Sequence, residues 1–328
     1  MKQNQQPKNH HFVPICYLKN FTKDGKLSVV DIKKITQGIP HYVKTFSPKS
    51  ICSFEDYYKI PSNELNEFFK LNSYNELYVE SEVLKNLEDK YGKSLYNNLV
   101  RQSTISMQNA VDLSDFIIQL KLRNPYWLEE QQRKKDEVID VAMENIYNEE
   151  LQANPRFNHI PEIIKKAVAH HVKMDAKKNS KFSKMMQLFS LIQRASEVPE
   201  TNNELRQAII DAEWKLFIAP TRGPKFITSD NPGFATANDN LTYNTKFKDD
   251  FVFFLPVSPD YCLAISDVIS DNSFTKSESI KYIQRVNINP LMVLYINDKA
   301  IQRVNKILIA ADDCYLSQIA DRNRPDTY

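Results

Sequence analysis

The chain has 328 residues, 42% apolar and 26% charged, so it can bury one large core or two ordinary ones and is not an intrinsically disordered chain. No apolar run approaches the ~18–20 residues that span a bilayer, and MKQNQQPKNH lacks the apolar centre of a secretory leader. Cys16, Cys52, Cys262 and Cys314 are scattered without a CxxC pair, which argues against a structural zinc and for free thiols in a reducing, cytoplasmic setting.

The net charge of +2 conceals an asymmetry, because residues 1–50 hold nine lysines against Asp24 and Asp31 and leave the remainder acidic. A basic leading segment suits a polyanionic partner; a solvated lysine-rich surface is the alternative. Residues 10–60 have the texture of short strands and turns. KDGKLSVVDI carries an Asp24-Gly25 turn before Leu27, Val29 and Val30, a hairpin pattern, and HYVKTF and EDYYKI are short β-like runs.

Residues 64–212 read as helices, with Gly92 their one internal glycine. ELYVESEVLKNLEDKYGKSLYNNLV places Val79, Val83, Leu84 and Leu87 on one face. VDLSDFIIQLKLRNP reads as a second helix capped by Asp112 or Ser114 and ended by Pro125. A polar helix follows from Trp127 to Glu150, and two more fill 161–195.

From Trp214 the pattern returns to β in WKLFIAP, KFITSDNP, DFVFFLPVS and YCLAISD. IQRVN occurs at both 283–287 and 301–305, separated by Pro290 and a β-like MVLYI, which excludes one continuous helix. The expected fold is α+β: a mixed or antiparallel sheet built from N- and C-terminal strands, with the helical region packed on it or inserted into it. One domain over 1–328 is the simplest organisation, comprising a β segment at 8–60, the helices at 64–212 and a β-rich segment at 213–320. Separate folding of 64–212 is the alternative.

HHFVPICYLKNF resembles the HHxVPxxYLxxF signature of a mainly bacterial family, domain-of-unknown-function family 4238. Further pieces fall in that family's order: FEDYY at 54–58, Glu80 and Glu88 on one helix, Arg123 and Pro125 at a helix end, ITSDNP after Trp214, FLPVSP, and AIQRVNKILIAADDCYLS. The last makes Asn305 the family position and Asn287 its echo. The resemblance runs from about residue 8 to 318, with 130–210 alike in texture only and Gly233 standing where an apolar residue is usual. It implies no activity, so the residues must argue for one.

His10 and His11 sit before Val13-Pro14, which holds the preceding backbone extended and points the two rings to opposite faces. Either imidazole suits a general acid, general base or metal ligand; a backbone-tied structural histidine is the alternative. Asp230, at a strand end before Asn231-Pro232, suits a catalytic or metal-binding carboxylate, and equally an Asx turn. Glu80 joins it as a candidate ligand for Mg²⁺ or Mn²⁺. Asn231, Arg123 and Asn305 are candidate binding residues.

In 165–184, Lys166, His170, Lys173, Lys177, Lys181 and Lys184 form a basic stripe if one helix persists through Asn179, with Ile164, Val168 and Val172 on another face. The stripe suits a phosphate backbone, or is the wet side of an amphipathic helix. GxxxxGK[ST], GxGxxG, GxSxG and HExxH are all missing, which sets aside P-loop motors, Rossmann oxidoreductases and α/β serine hydrolases. The resulting expectation is a metal- or His/Asp-dependent hydrolase of nucleic acid or nucleotide, compatible with a phage-defence effector. A ligand-sensing or interaction module using the same polar pocket is the alternative, and a buried polar scaffold is a third.

Overall fold

Pro14 leaves the preceding residues extended, so Asn9–His11 forms β1, which pairs antiparallel with β4, Ser53–Glu55. The computed structural model describes residues 9–36, 43–62, 65–178, 180–195, 199–247, 250–267 and 279–322. After Pro14 the chain turns into α1 (Ile15–Leu18) and buries Tyr17, Leu18 and Phe21 completely. Asp24 and Gly25 follow with φ of 52° and 73°, the left-handed pair that a two-residue hairpin turn requires. That turn closes on a single Lys23–Lys26 bridge. The next strand, β2 (Leu27–Asp31), leads through α2 (Ile32–Thr36) to its neighbour β3 (Lys44–Phe46). The start of HYVKTF lies outside the described residues.

The helical middle begins with α3 (Leu65–Phe68). A longer run follows in which α4 (Lys85–Lys90) is flanked by π-helical turns at Val79–Leu84 and Tyr91–Leu95 before α5 (Tyr96–Arg101). Val79, Val83, Leu84 and Leu87 are buried, as their spacing predicts. A short strand, β5 (Thr104–Ser106), precedes α6 (Met107–Leu122). The cap of α6 is Ser106, whose hydroxyl accepts from the Asn109 N–H, so the helix starts earlier than expected. Asp112 and Ser114 are buried inside it. α7 (Pro125–Asn145) continues as a π turn through Gln152, and α8 (Glu162–Lys178), α9 (Ser180–Ala195) and α10 (Pro199–Asp211) complete the region. Asn179, on which one unbroken 165–184 helix depended, lies outside the described residues.

The remaining strands are β6 (Glu213–Ile218), β7 (Thr228–Ser229), β8 (Phe234–Ala237), β9 (Thr242–Tyr243), β10 (Phe251–Ser258), β11 (Tyr261–Ser266), β12 (Ile280–Tyr282) and β13 (Gln284–Asn287). Then come α11 (Pro290–Ile301), β14 (Ile307–Ala310) and α12 (Asp313–Arg322). A six-stranded sheet runs β13-β6-β11-β10-β8-β9, antiparallel except for β13 beside β6. A four-stranded sheet, β3-β2-β14-β7, joins the N- and C-terminal strands as expected. MVLYI is helical rather than β-like: Asn289 caps α11 by accepting from the Met292 N–H, Pro290 occupies its first turn, and Val293 and Ile296 pack on Phe217 and Phe254. The repeated IQRVN is strand at its first occurrence and helix end plus turn at its second.

The largest apolar cluster draws together Tyr17, Leu84, Phe116, Leu188, Trp214 and Phe253, residues from all three segments. Gly233 has φ +76° and lies so close to Phe253 that an added Cβ would approach its ring tip to 2.7 Å. Phe253 is fully buried and cannot swing away. Gly233→Ala is therefore expected to cost about 1–3 kcal/mol, read from the midpoint of urea unfolding. An unshifted midpoint would mean that the turn relaxes freely.

Candidate functional site

The junction of α6 and α7 organises the polar interior. Asn124 ends one helix and caps the next by accepting from the Tyr126 N–H at 2.9 Å, with Pro125 at the first helical position. Lys121, Arg123 and Asn124 therefore lie on one sharp corner, and all three are buried. Lys121 Nζ donates to Asn231 Oδ1 (2.8 Å), the Pro232 carbonyl (3.0 Å) and the Gly233 carbonyl (2.8 Å). Three acceptors match the three N–H bonds of an ammonium, while burial pulls the pKa of Lys121 well below the ordinary lysine value. Asn124 Nδ2 donates to the Asp230 carbonyl at 2.6 Å.

The SDNP segment leaves β7 and is held from both sides. The Asp230 carboxylate accepts the backbone N–H groups of Asn305 (3.1 Å), Lys306 (2.7 Å) and Ile307 (3.1 Å), which fixes the entry into β14. Burial pushes Asp230 up to about 6, against the three N–H donors that favour its ionised form. Asn231 donates through Nδ2 to the Arg303 carbonyl at 2.8 Å, and its own N–H reaches Ser229 Oγ at 3.0 Å. Asn305 takes part through its backbone N–H.

The two histidines face opposite ways, as strand geometry requires. His10 is fully buried; its Nδ1 accepts from the Tyr58 N–H at 2.8 Å and its ring lies parallel to that of Tyr58, centroids 5.9 Å apart. His11 Nε2 donates to the Lys49 carbonyl at 3.2 Å, and burial lowers its pKa, so the ring is neutral near pH 7. Arg123 ties this strand to the helices by hydrogen bonding the His11 carbonyl, pairing with Glu88 at 2.8 Å and lying 5.8 Å from the Tyr58 ring centre. The Tyr58 hydroxyl returns a bond to the Arg123 carbonyl at 2.8 Å.

Glu80, on the π turn that precedes α4, is pushed up to about 7 by burial, with the Arg123 charge opposing and the Glu88 charge adding to the shift. Glu88 also acts on His11 and on Cys16, whose thiol burial raises to about 12. Glu80, Glu88, Arg123, His11 and Cys16 thus form one electrostatic group. Glu88 and Cys16 are partly exposed, whereas His10 and Asp230 are enclosed. π turns recur at functional sites because the extra residue redirects side chains.

The basic stripe lies elsewhere, on the α7–α8 hairpin. Lys166 pairs with Glu162 at 2.5 Å, and Lys173 and Lys177 both close on Asp140 at 2.6 Å, so three of its charges are met within the chain. His170 is exposed, and Lys184 departs to lie 3.4 Å from the Tyr57 ring centre, where burial lowers it to about 7. A groove of about 610 Å³ between α7 and α9 is lined by Leu128, Glu129, Gln132, Arg133, Asp136 and Ser183 among others, with none of the motif residues. Among the described residues, the one group of three ligand-type side chains drawn together is Asp312, Asp313 and Cys314, which includes neither Glu80 nor Asp230. Among them too, no helix is long and apolar enough to cross a membrane, and all four cysteines are free.

Lys121, Asn124 and Tyr58 were not singled out from sequence, yet they hold the motif residues in place. Lys121 did carry a signal: it continues the buried stripe Ala110, Ser114, Ile117 at steps of four, three and four, where a charge is out of pattern. Neither the curated proteins nor the solved structures include one that matches this chain. A family model described as a protein of unknown function, DUF4238, matches residues 9–324, and the chain belongs to that family.

Proposed function

We propose that this protein is a hydrolase acting on the phosphodiester of a nucleic acid or on a nucleotide, with its acid–base chemistry centred on Glu80. What supports this is a carboxyl group that burial pushes up to about 7, near the Arg123 guanidinium and at a π turn, with His11 sharing Arg123 and Glu88 as charged neighbours. With His11 Nε2–H committed to the Lys49 carbonyl, the lone pair on Nδ1 is the one that takes the proton of an attacking water. Glu80 in its protonated form returns a proton to the leaving oxygen, and the buried Arg123, held by Glu88 and the His11 carbonyl, acts on charge at phosphorus-bound oxygens through its field rather than by contact. In this reading His10, Asp230, Asn231 and Asn305 position the site, because their polar contacts lie within the chain.

A divalent ion fits these residues poorly. Arg123 already supplies the cation beside Glu88, and the Asp230 carboxylate accepts three backbone N–H groups. The proposed chemistry therefore routes no step through Mg²⁺ or Mn²⁺.

A second reading is a buried polar scaffold with no turnover. It is favoured by the enclosure of His10, Arg123, Asp230 and Asn231, each at most 4% exposed. One experiment separates the two: purified protein is incubated with mixed RNA, DNA and nucleotides, with and without Mn²⁺, beside Glu80→Gln. The hydrolase reading expects turnover that falls about 10²–10⁴-fold in the variant. Turnover equal in both removes Glu80 from the chemistry, saturable binding without turnover favours a sensing module, and neither turnover nor binding favours the scaffold. If turnover is found, phage challenge of cells carrying wild type or Glu80→Gln tests a defence role.

A further inference from the structure

The α7–α8 hairpin contradicts the usual arrangement of an amphipathic pair. No residue of α7 is buried, and Lys165 alone is buried on α8. The side chains meeting between the two helices are polar: Asp140 receives Lys173 and Lys177, and Lys135 reaches the carbonyls of Ala176 and Lys177. Ile139, Met143 and Ala169 are half-buried, but other apolar side chains face outward. Val138, Val141 and Ile146 are 68%, 61% and 45% exposed, and Ile164, Val168 and Val172 are each about half exposed. The last three recur every four residues, one face of a helix. Three β-branched residues in a row at that spacing, left in water, form a strip that soluble proteins ordinarily cover.

The two arms also differ in charge. Residues 125–152 hold eight acidic residues against Arg133, Lys134 and Lys135, while 162–178 hold five lysines and two histidines against Glu162 and Asp175, with Lys166, Lys173 and Lys177 already paired within the hairpin. Packing α8 on the α8 of another copy would set like charges together. Packing α8 on the partner's α7 sets the basic arm on the acidic one, and a two-fold axis then makes the same contact twice.

We propose that a second copy of this chain covers the hairpin, α8 of each lying on α7 of the other, to form an antiparallel four-helix bundle that buries both outward apolar strips. Seventeen residues of α8 give a face ~25 Å long and two helices wide, in the size range of a standard interface of ~800 Å² per partner. This assembly is independent of the Glu80 chemistry.

The test is the mass of the full chain by sedimentation equilibrium at tens of micromolar. The expected result is a dimer of the 38.2 kDa chain. Val168→Glu sets a carboxylate against the partner's acidic arm, and Val141→Lys sets an ammonium against its basic arm. Each is expected to raise the dimer dissociation constant at least about tenfold. Both positions are exposed, so each variant should keep the wild-type circular dichroism, and either one that does so suffices for the test. A wild-type monomer, or a dimer that a folded variant leaves unweakened, overturns the proposal.

Discussion

Lys121→Met is expected to remove about 3–5 kcal/mol of stability, a large share of the ~5–15 kcal/mol that holds a typical domain. Methionine fills nearly the same volume, so the cost does not come from a cavity. It comes from Asn231 Oδ1 and the Pro232 and Gly233 carbonyls, three acceptors that lose their donor where water does not reach. The loss is partly offset because a buried ammonium no longer has to be desolvated. Urea unfolding at pH 7 measures the difference. Lys121→Met with Asn231→Leu removes one acceptor along with the donor, so the pair should be less destabilised than the sum of its single variants. A single variant within about 0.5 kcal/mol of wild type would mean that the corner repairs itself, and the account of the SDNP clamp would fail.

That clamp shows where sequence reasoning reaches and where it stops. The Asp24-Gly25 turn, the face of Val79, Val83, Leu84 and Leu87, and the union of early and late strands in one sheet follow from local chemistry and period, and they are present. MVLYI was misread because a short apolar run carries no period of its own. The signal that mattered was Asn289-Pro290 ahead of it, a cap followed by a first-turn proline. Asp112 and Ser114 were misread as caps because cap residue types also serve inside a helix when they find partners, as Asp112 does with Lys90 and Ser114 with the Ala110 carbonyl.

The partners of Asp230 were beyond reach for a different reason. Asn124 meets it across 106 positions and Ile307 across 77, and pairings of that separation are fixed by tertiary packing. The resemblance pointed to Arg123, Asp230 and Asn305 as residues that matter. Whether an acid before proline is a turn acceptor or an open carboxylate depends on where the Asn305–Ile307 backbone lies, which no local pattern encodes.

Glu80 gives the second large effect, and it appears as a dependence on pH. Its folded pKa, about 7, is raised above the model-peptide value of 4.5, so the native state binds this proton more tightly than the unfolded chain. The penalty for burying the charged form is fully present above pH 7, and it is relieved as the pH falls from 7 towards 4.5. Partial exposure discounts the shift to about 2–3 kcal/mol.

Glutamine mimics the protonated acid. Glu80→Gln is therefore expected to be the more stable protein by about 2–3 kcal/mol at pH 8, and to converge on wild type near pH 4.5. Asp230, raised to about 6, and Lys184, lowered to about 7, titrate in this window, and His11 is shifted downward; all three are common to both proteins and cancel to first order in the difference. Arg123, Glu88 and Tyr58, the groups that act on Glu80, are likewise unchanged. Thermal unfolding in steps from pH 8 to 4.5 gives the two profiles. Profiles that stay parallel throughout would mean that Glu80 is ionised as an ordinary carboxylate in the folded protein. The proton that the proposed hydrolase donates at neutral pH would then have no source.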